Sequence, residues 1–273
     1  MIHRNKNTTD TQCENECENI FKGTEQKWYL TDSWSDLYDH SVLLDKLDPT
    51  LRIYCEGEPK PTWRGALHYI NVTLFLIAFP FLYKVCNSTE EKIAVCIFTA
   101  SNFFCFFFSV LLHRFTWNPV QEIFVQKLDH SGVFLNIAGN CTSYIILGLK
   151  KTFWFLLAPV WIAAIYGIVL VFLKKKRNKH SIYTSVGLII TAFFIHYFFQ
   201  TTQILLFWGV WIPMIISLIS FVKQAPTLWP ETFGYHEFFH LCTVIAAISG
   251  IALEFSLLQG GLHPPYPLTP WLH

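Results

Sequence analysis

The string His236-Glu237-Phe238-Phe239-His240 spaces two imidazoles four residues apart, which on a helix sets both on one face, within reach of a single metal ion. Ser109-Val110-Leu111-Leu112-His113 repeats that spacing with a hydroxyl and a third imidazole, and Lys127-Leu128-Asp129-His130-Ser131-Gly132 adds a carboxylate. Three neutral imidazoles with a fourth position left open are the donor set of catalytic zinc, which makes hydroxide available near neutral pH. Asp129 beside such a centre would orient the water and take its proton. Ser109, one helical turn from His113, would donate to a developing oxyanion. The target of that chemistry is an amide or ester carbonyl presented from a bilayer. Glu237 stands off the face that the two histidines share, so the letters His-Glu do not make a zincin motif. The competing reading of the same residues is a set of interfacial histidines hydrogen-bonded to their neighbours, with no metal.

These residues belong to a chain of 273 residues that is 52% apolar and 14% charged, with 26 Phe. A soluble domain carries roughly 25% charge. Of the 19 acidic residues, 12 fall within residues 1–59, so that 7 remain in the other 214 alongside 14 of the 20 Lys and Arg. The imbalance divides the chain into a polar, acidic N-terminal region over 1–60, a membrane domain over 61–260 and a short proline-rich tail over 261–273. Apolar windows recur at 66–83, 93–113, 130–149, 153–173, 182–199, 204–222 and 237–258. Each is about long enough to cross ~30 Å of hydrocarbon at 1.5 Å per residue. Backbone groups cannot stay unpaired in lipid, so each window reads as a helix. The expected fold is an all-α membrane protein, a seven-transmembrane helix bundle.

Orientation follows from basic residues in the connections: eleven Lys and Arg on the side of the N-terminus against four on the other. That asymmetry predicts a cytoplasmic N-terminus and a C-terminus outside or in a lumen. His113 then ends the second span, Asp129 opens the third, and His236 and His240 open the seventh, so all four share one cytoplasmic depth. Between Ile182 and Val222 only Gln200-Thr201-Thr202-Gln203 separates two spans.

Ser109 with His113, the string around Asp129, and Phe233-Gly234-Tyr235-His236-Glu237-Phe238-Phe239-His240-Leu241 together resemble the progestin/adipoQ receptor and haemolysin-III-like family, which includes the adiponectin receptors. The likeness runs over residues 60–258 in the family's order. It implies seven helices with a cytoplasmic N-terminus, zinc (Zn2+) on His113, His236 and His240, Asp129 contacting the metal through water, and Ser109 beside the site. Adiponectin receptors are associated with ceramidase activity, and the alkaline ceramidases look similar in motif layout. The short tail, Gly260-Gly261-Leu262-His263-Pro264-Pro265 onward, departs from a hormone-binding module. Two function classes therefore stand: a zinc-dependent intramembrane hydrolase of a lipid amide or ester, with ceramide as a candidate substrate, and a receptor or membrane regulator with structural zinc. An ion or small-solute channel is a third.

Asn136 and Asn140 follow Asp129 on one helical face, as a polar wall or as interhelical hydrogen bonds. His130 points away from Asp129, while His196 and Glu254 fall toward the opposite side of the membrane. The basic run Lys174-Lys175-Lys176-Arg177 joins apolar windows and lacks interleaved aromatics, so it reads as a topology signal and no nucleic acid is expected. Eight cysteines imply no disulfide framework, since four lie within apolar windows. The expected partner is a membrane lipid, as substrate or ligand, for an integral multi-pass protein of the plasma membrane or an endomembrane.

Overall fold

The computed structural model describes residues 63–115, 117, 119–149, 151–173, 201–229 and 232–260. Six α-helices form there: α1 (Ala66–Val85), α2 (Thr89–Arg114), α3 (Pro119–Gly148), α4 (Leu157–Leu173), α5 (Thr201–Lys223) and α6 (Tyr235–Gly260). A 3-10 segment, Lys151–Leu156, leads into α4. The start of α2 shows why a helix begins where it does. Ser88 Oγ accepts from Glu91 N–H at 3.2 Å while Glu91 Oε2 accepts from Ser88 N–H at 3.3 Å, satisfying donors that the first turn leaves without intrahelical partners.

Five helical segments are long and apolar enough to cross a membrane: α1, α2, the 3-10 segment with α4, α5 and α6. This overturns the expected seven-transmembrane bundle. Among the described residues there are six α-helices and five candidate spans, not seven. Residues 130–148 of the window at 130–149 do lie in a helix, α3, but Ser131, Asn136, Asn140, Thr142 and Ser143 dilute its apolar character. The window at 182–199, with His196, lies outside the described residues, as do the region 1–60 and the tail 261–273. The cytoplasmic N-terminus and the opposed C-terminus rested on the count of seven and fall with it.

The lipid-facing character of the outer helices shows in their exposed side chains. Leu76, Ile77, Phe81, Ile162, Ile165 and Leu205 are all more than half exposed, an arrangement that water would penalise and hydrocarbon does not. Inside, α2 lies along α3 and α5 along α6, while α1 packs on both α2 and α6 and α3 also packs on α4. Phe75, Leu82, Phe98, Tyr144, Phe207 and Leu253 fill the core. The α2–α3 seam is close because it is lined by small residues: a Cβ on Gly132 would come within 2.8 Å of Cys105 Cα. Small residues at such seams let helix backbones approach without a hydrophobic driving force.

Candidate metal centre

The last turn of α2 carries His113 and the first two turns of α6 carry His236 and His240, all three buried. One nitrogen from each lies within 4.8 Å of the others. The ring centroids stand 4.9 Å apart for His113 and His236, 5.2 Å for His113 and His240, and 4.6 Å for His236 and His240. At a Zn–N distance of about 2.0–2.1 Å, tetrahedral donors sit about 3.4 Å apart. Small side-chain rotations therefore close the set onto one ion. His240 Nδ1 is buried with no hydrogen-bond partner among the described residues, a state that calls for a ligand in a native interior. The donor set fits a metal.

Other predicted residues are placed differently. Ser109 is buried on α2, one turn before His113. Asp129 is partly buried on α3 and lies outside the set of three histidines. His130 is exposed. Asn136 and Asn140 join α3 to α2: Asn136 Nδ2 donates to Asn102 Oδ1 at 2.6 Å, Asn102 Nδ2 to Asn140 Oδ1 at 3.4 Å, and Asn140 Nδ2 to Asn136 Oδ1 at 3.1 Å. Their polar atoms are spent within the bundle. Glu254 is fully buried and takes a hydrogen bond from Ser143 Oγ.

Three residues, His68, Arg64 and Glu237, have partners at the site that the reading of the sequence did not indicate. The ring of His68, buried on α1, lies 3.9 Å from that of His240 and tilts 36° to it. Asn71 Nδ2 lies 3.4 Å from His68 Nδ1 and donates to Thr243 Oγ1 at 3.3 Å, tying α1 to α6. A signal existed, because His68 stands at the start of the first apolar window, at the depth inferred for His113. Arg64 and Glu237 are the other two. Arg64 Nε donates to Glu237 Oε1 at 2.5 Å, and Glu237 Oε2 accepts from Gly234 N–H at 2.8 Å. Two residues 173 positions apart offered no local signal of their pairing.

Long apolar helices around a buried cluster of three histidines define the class: a multi-pass membrane protein with a site able to hold a metal ion inside the helix bundle. The haemolysin-III-related family matches the chain over residues 57–251. The chain belongs to that family. It is 34% identical to Hemolysin-3 of Bacillus cereus over 97 residues, covering 35% of this chain and 44% of that protein. It is also 34% identical to the Hemolysin-3 homolog of Bacillus subtilis (strain 168) over 114 residues, or 41% of this chain and 52% of that one. The chain thus spans about half the length of the curated relatives it matches.

Proposed function

We propose that the protein is a zinc-dependent hydrolase acting within the bilayer on the amide or ester bond of a lipid, with ceramide, the substrate suggested by the likeness to adiponectin receptors and alkaline ceramidases, as the first to test. The observation that carries this reading is the convergence of His113, His236 and His240 in one buried cluster. Bound there, zinc supplies Lewis acidity toward a carbonyl and makes hydroxide available near neutral pH. The chain's own groups do the rest. The three imidazoles, as neutral donors, would hold the ion. Asp129 is assigned to orient the attacking water and accept its proton, and Ser109 to donate a hydrogen bond to the oxygen that gains charge. Burial of the three histidines within the bundle keeps bulk water from them. Water adds to the acyl carbon, the C–N or C–O bond breaks, and the amine or alcohol leaves with a proton.

A second reading, a receptor or regulator in which the metal only locks α2 to α6, is favoured by His68, whose ring crowds His240 from α1. Metal analysis of the purified chain, followed by turnover of a fluorescent ceramide and of an ester analogue in nanodiscs, separates the two. Bound zinc with zinc-dependent release of fatty acid supports the hydrolase. Bound zinc without turnover of either lipid supports the structural role, and folded, active protein free of metal overturns both.

A further inference from the structure

The turn that precedes α1, residues 63–65, touches each part of the chain that supplies a histidine to the cluster. Trp63 N–H donates to Thr232 O, in the connection between α5 and α6, at 3.4 Å. Arg64 Nε reaches Glu237 Oε1 at 2.5 Å, in the first turn of α6 beside His236. Gly65 adopts φ 74°, a left-handed conformation that a side chain disfavours. A Cβ there would stand 2.5 Å from His113 Cβ and 3.4 Å from Arg114 Cγ.

The packing makes these contacts consequential. His113 comes from α2, while His236 and His240 come from α6, and α1 packs on both helices, as α3 also does. How α1 holds each of them therefore bears directly on the distance between the two halves of the cluster. On α2 the spacer is Gly65 against the His113 backbone side; on α6 it is the Arg64–Glu237 pair. That pair is almost wholly enclosed, with Arg64 5% and Glu237 0% exposed. Enclosing two charges costs several kcal/mol of desolvation per ion, so apolar packing would join α1 to α6 with less penalty. What a bidentate-capable guanidinium adds is register, since a hydrogen-bonded charge pair tolerates little sliding. Gly234 N–H on the second carboxylate oxygen fixes the Glu237 end as well.

We infer that Arg64, Gly65 and Glu237 are positioning residues of the metal centre, a clasp that sets the spacing of His113 from His236 and His240. The inference rests on the cluster being a metal site. Outer partners of a metal site typically change affinity about 10–100-fold when removed, and that is the effect expected of breaking the clasp.

The test uses the full chain in nanodiscs, loaded with zinc or with cobalt(II), whose visible spectrum reports coordination geometry. Zinc affinity is read by competition with a chromophoric chelator. Arg64→Gln, Glu237→Gln and Gly65→Ala are each expected to weaken zinc about 10–100-fold and to alter the cobalt spectrum. Arg64→Lys should keep the native spectrum, and the exchange Arg64→Glu with Glu237→Arg should recover most of the affinity lost in either single variant. Ser143→Ala, on α3 where its hydroxyl bonds Glu254 near the far end of α6, serves as the control that lowers stability without moving the spectrum. Should Arg64→Gln fail to fold, the isosteric Glu237→Gln decides the same point. Parental zinc affinity within about twofold and an unchanged cobalt spectrum in Glu237→Gln and Gly65→Ala would overturn the clasp, whatever their loss of thermal stability. A parent chain that binds neither zinc nor cobalt overturns instead the metal reading on which the clasp depends.

Discussion

Helix α6 encloses two carboxylates, Glu237 near its start and Glu254 near its end, both 0% exposed and about 26 Å apart along the axis at 1.5 Å per residue. They are held in opposite ways. Glu237 has a guanidinium on one oxygen and a backbone N–H on the other. Glu254 has the Ser143 hydroxyl on Oε1, while Oε2 makes no hydrogen bond among the described residues. The surroundings differ in the same sense. Glu237 lies among His236, His240 and Gly234, in the end of the bundle where α1, α2 and α6 converge, whereas Glu254 shares its end with Leu253, Leu257 and Tyr144. One end is organised by charge and directional bonds, the other by packing. Where atoms must be placed within tenths of an ångström, directional interactions are retained despite their desolvation cost.

The sharpest way to break that contrast is to remove a ligand. His240→Ala should abolish stable zinc occupancy, losing more than the roughly 100-fold that an outer partner controls, while Ser143→Ala leaves occupancy unchanged; inductively coupled plasma mass spectrometry of purified protein reads both. Equal occupancy in the two variants would dissolve the distinction between the ends.

Next in size is Asp129→Asn, which should retain zinc yet lower turnover about 10²–10⁴-fold, because an amide accepts a hydrogen bond but cannot take up a proton at neutral pH. Steady-state release of fatty acid from the confirmed substrate measures it. Parental turnover would remove Asp129 from the reaction.

Stability draws the contrast again. Arg64→Ala leaves a buried carboxylate without its cation and should cost about 3–5 kcal/mol, followed by reversible unfolding in mixed micelles. The smallest effect is expected at the other end, where Glu254→Gln keeps an acceptor for Ser143 and should shift stability by no more than about 1 kcal/mol. A larger loss for Glu254→Gln than for Arg64→Ala would reverse the ranking and show that the Glu254 end, too, depends on charge.

Helix α3 shows where hydropathy misleads. Its window at 130–149 passes for a span by length, yet its polar residues keep it out of the five apolar segments. Asn136 and Asn140 are tolerated there because Asn102 of α2 satisfies them, a pairing that a window average cannot register. Counting charges between seven assumed spans compounded the problem, since each added or lost crossing inverts every later connection. The histidines survived this error. His113, His236 and His240 needed only to be at one end of helices that meet, and the structure brings them to one end, with α1 packed on both α2 and α6.

By itself the sequence determined the membrane character, because composition fixes the solvent in which a helix can bury its backbone. It also determined the facing of His236 and His240, because a separation of four residues is a property of the helix and not of its surroundings. Tertiary structure alone decided that His68 lies against His240, that Arg64 pairs with Glu237 and that Gly65 abuts His113. Those choices join segments far apart in the chain, and their energy depends on distance and burial, quantities that exist only once the helices have packed.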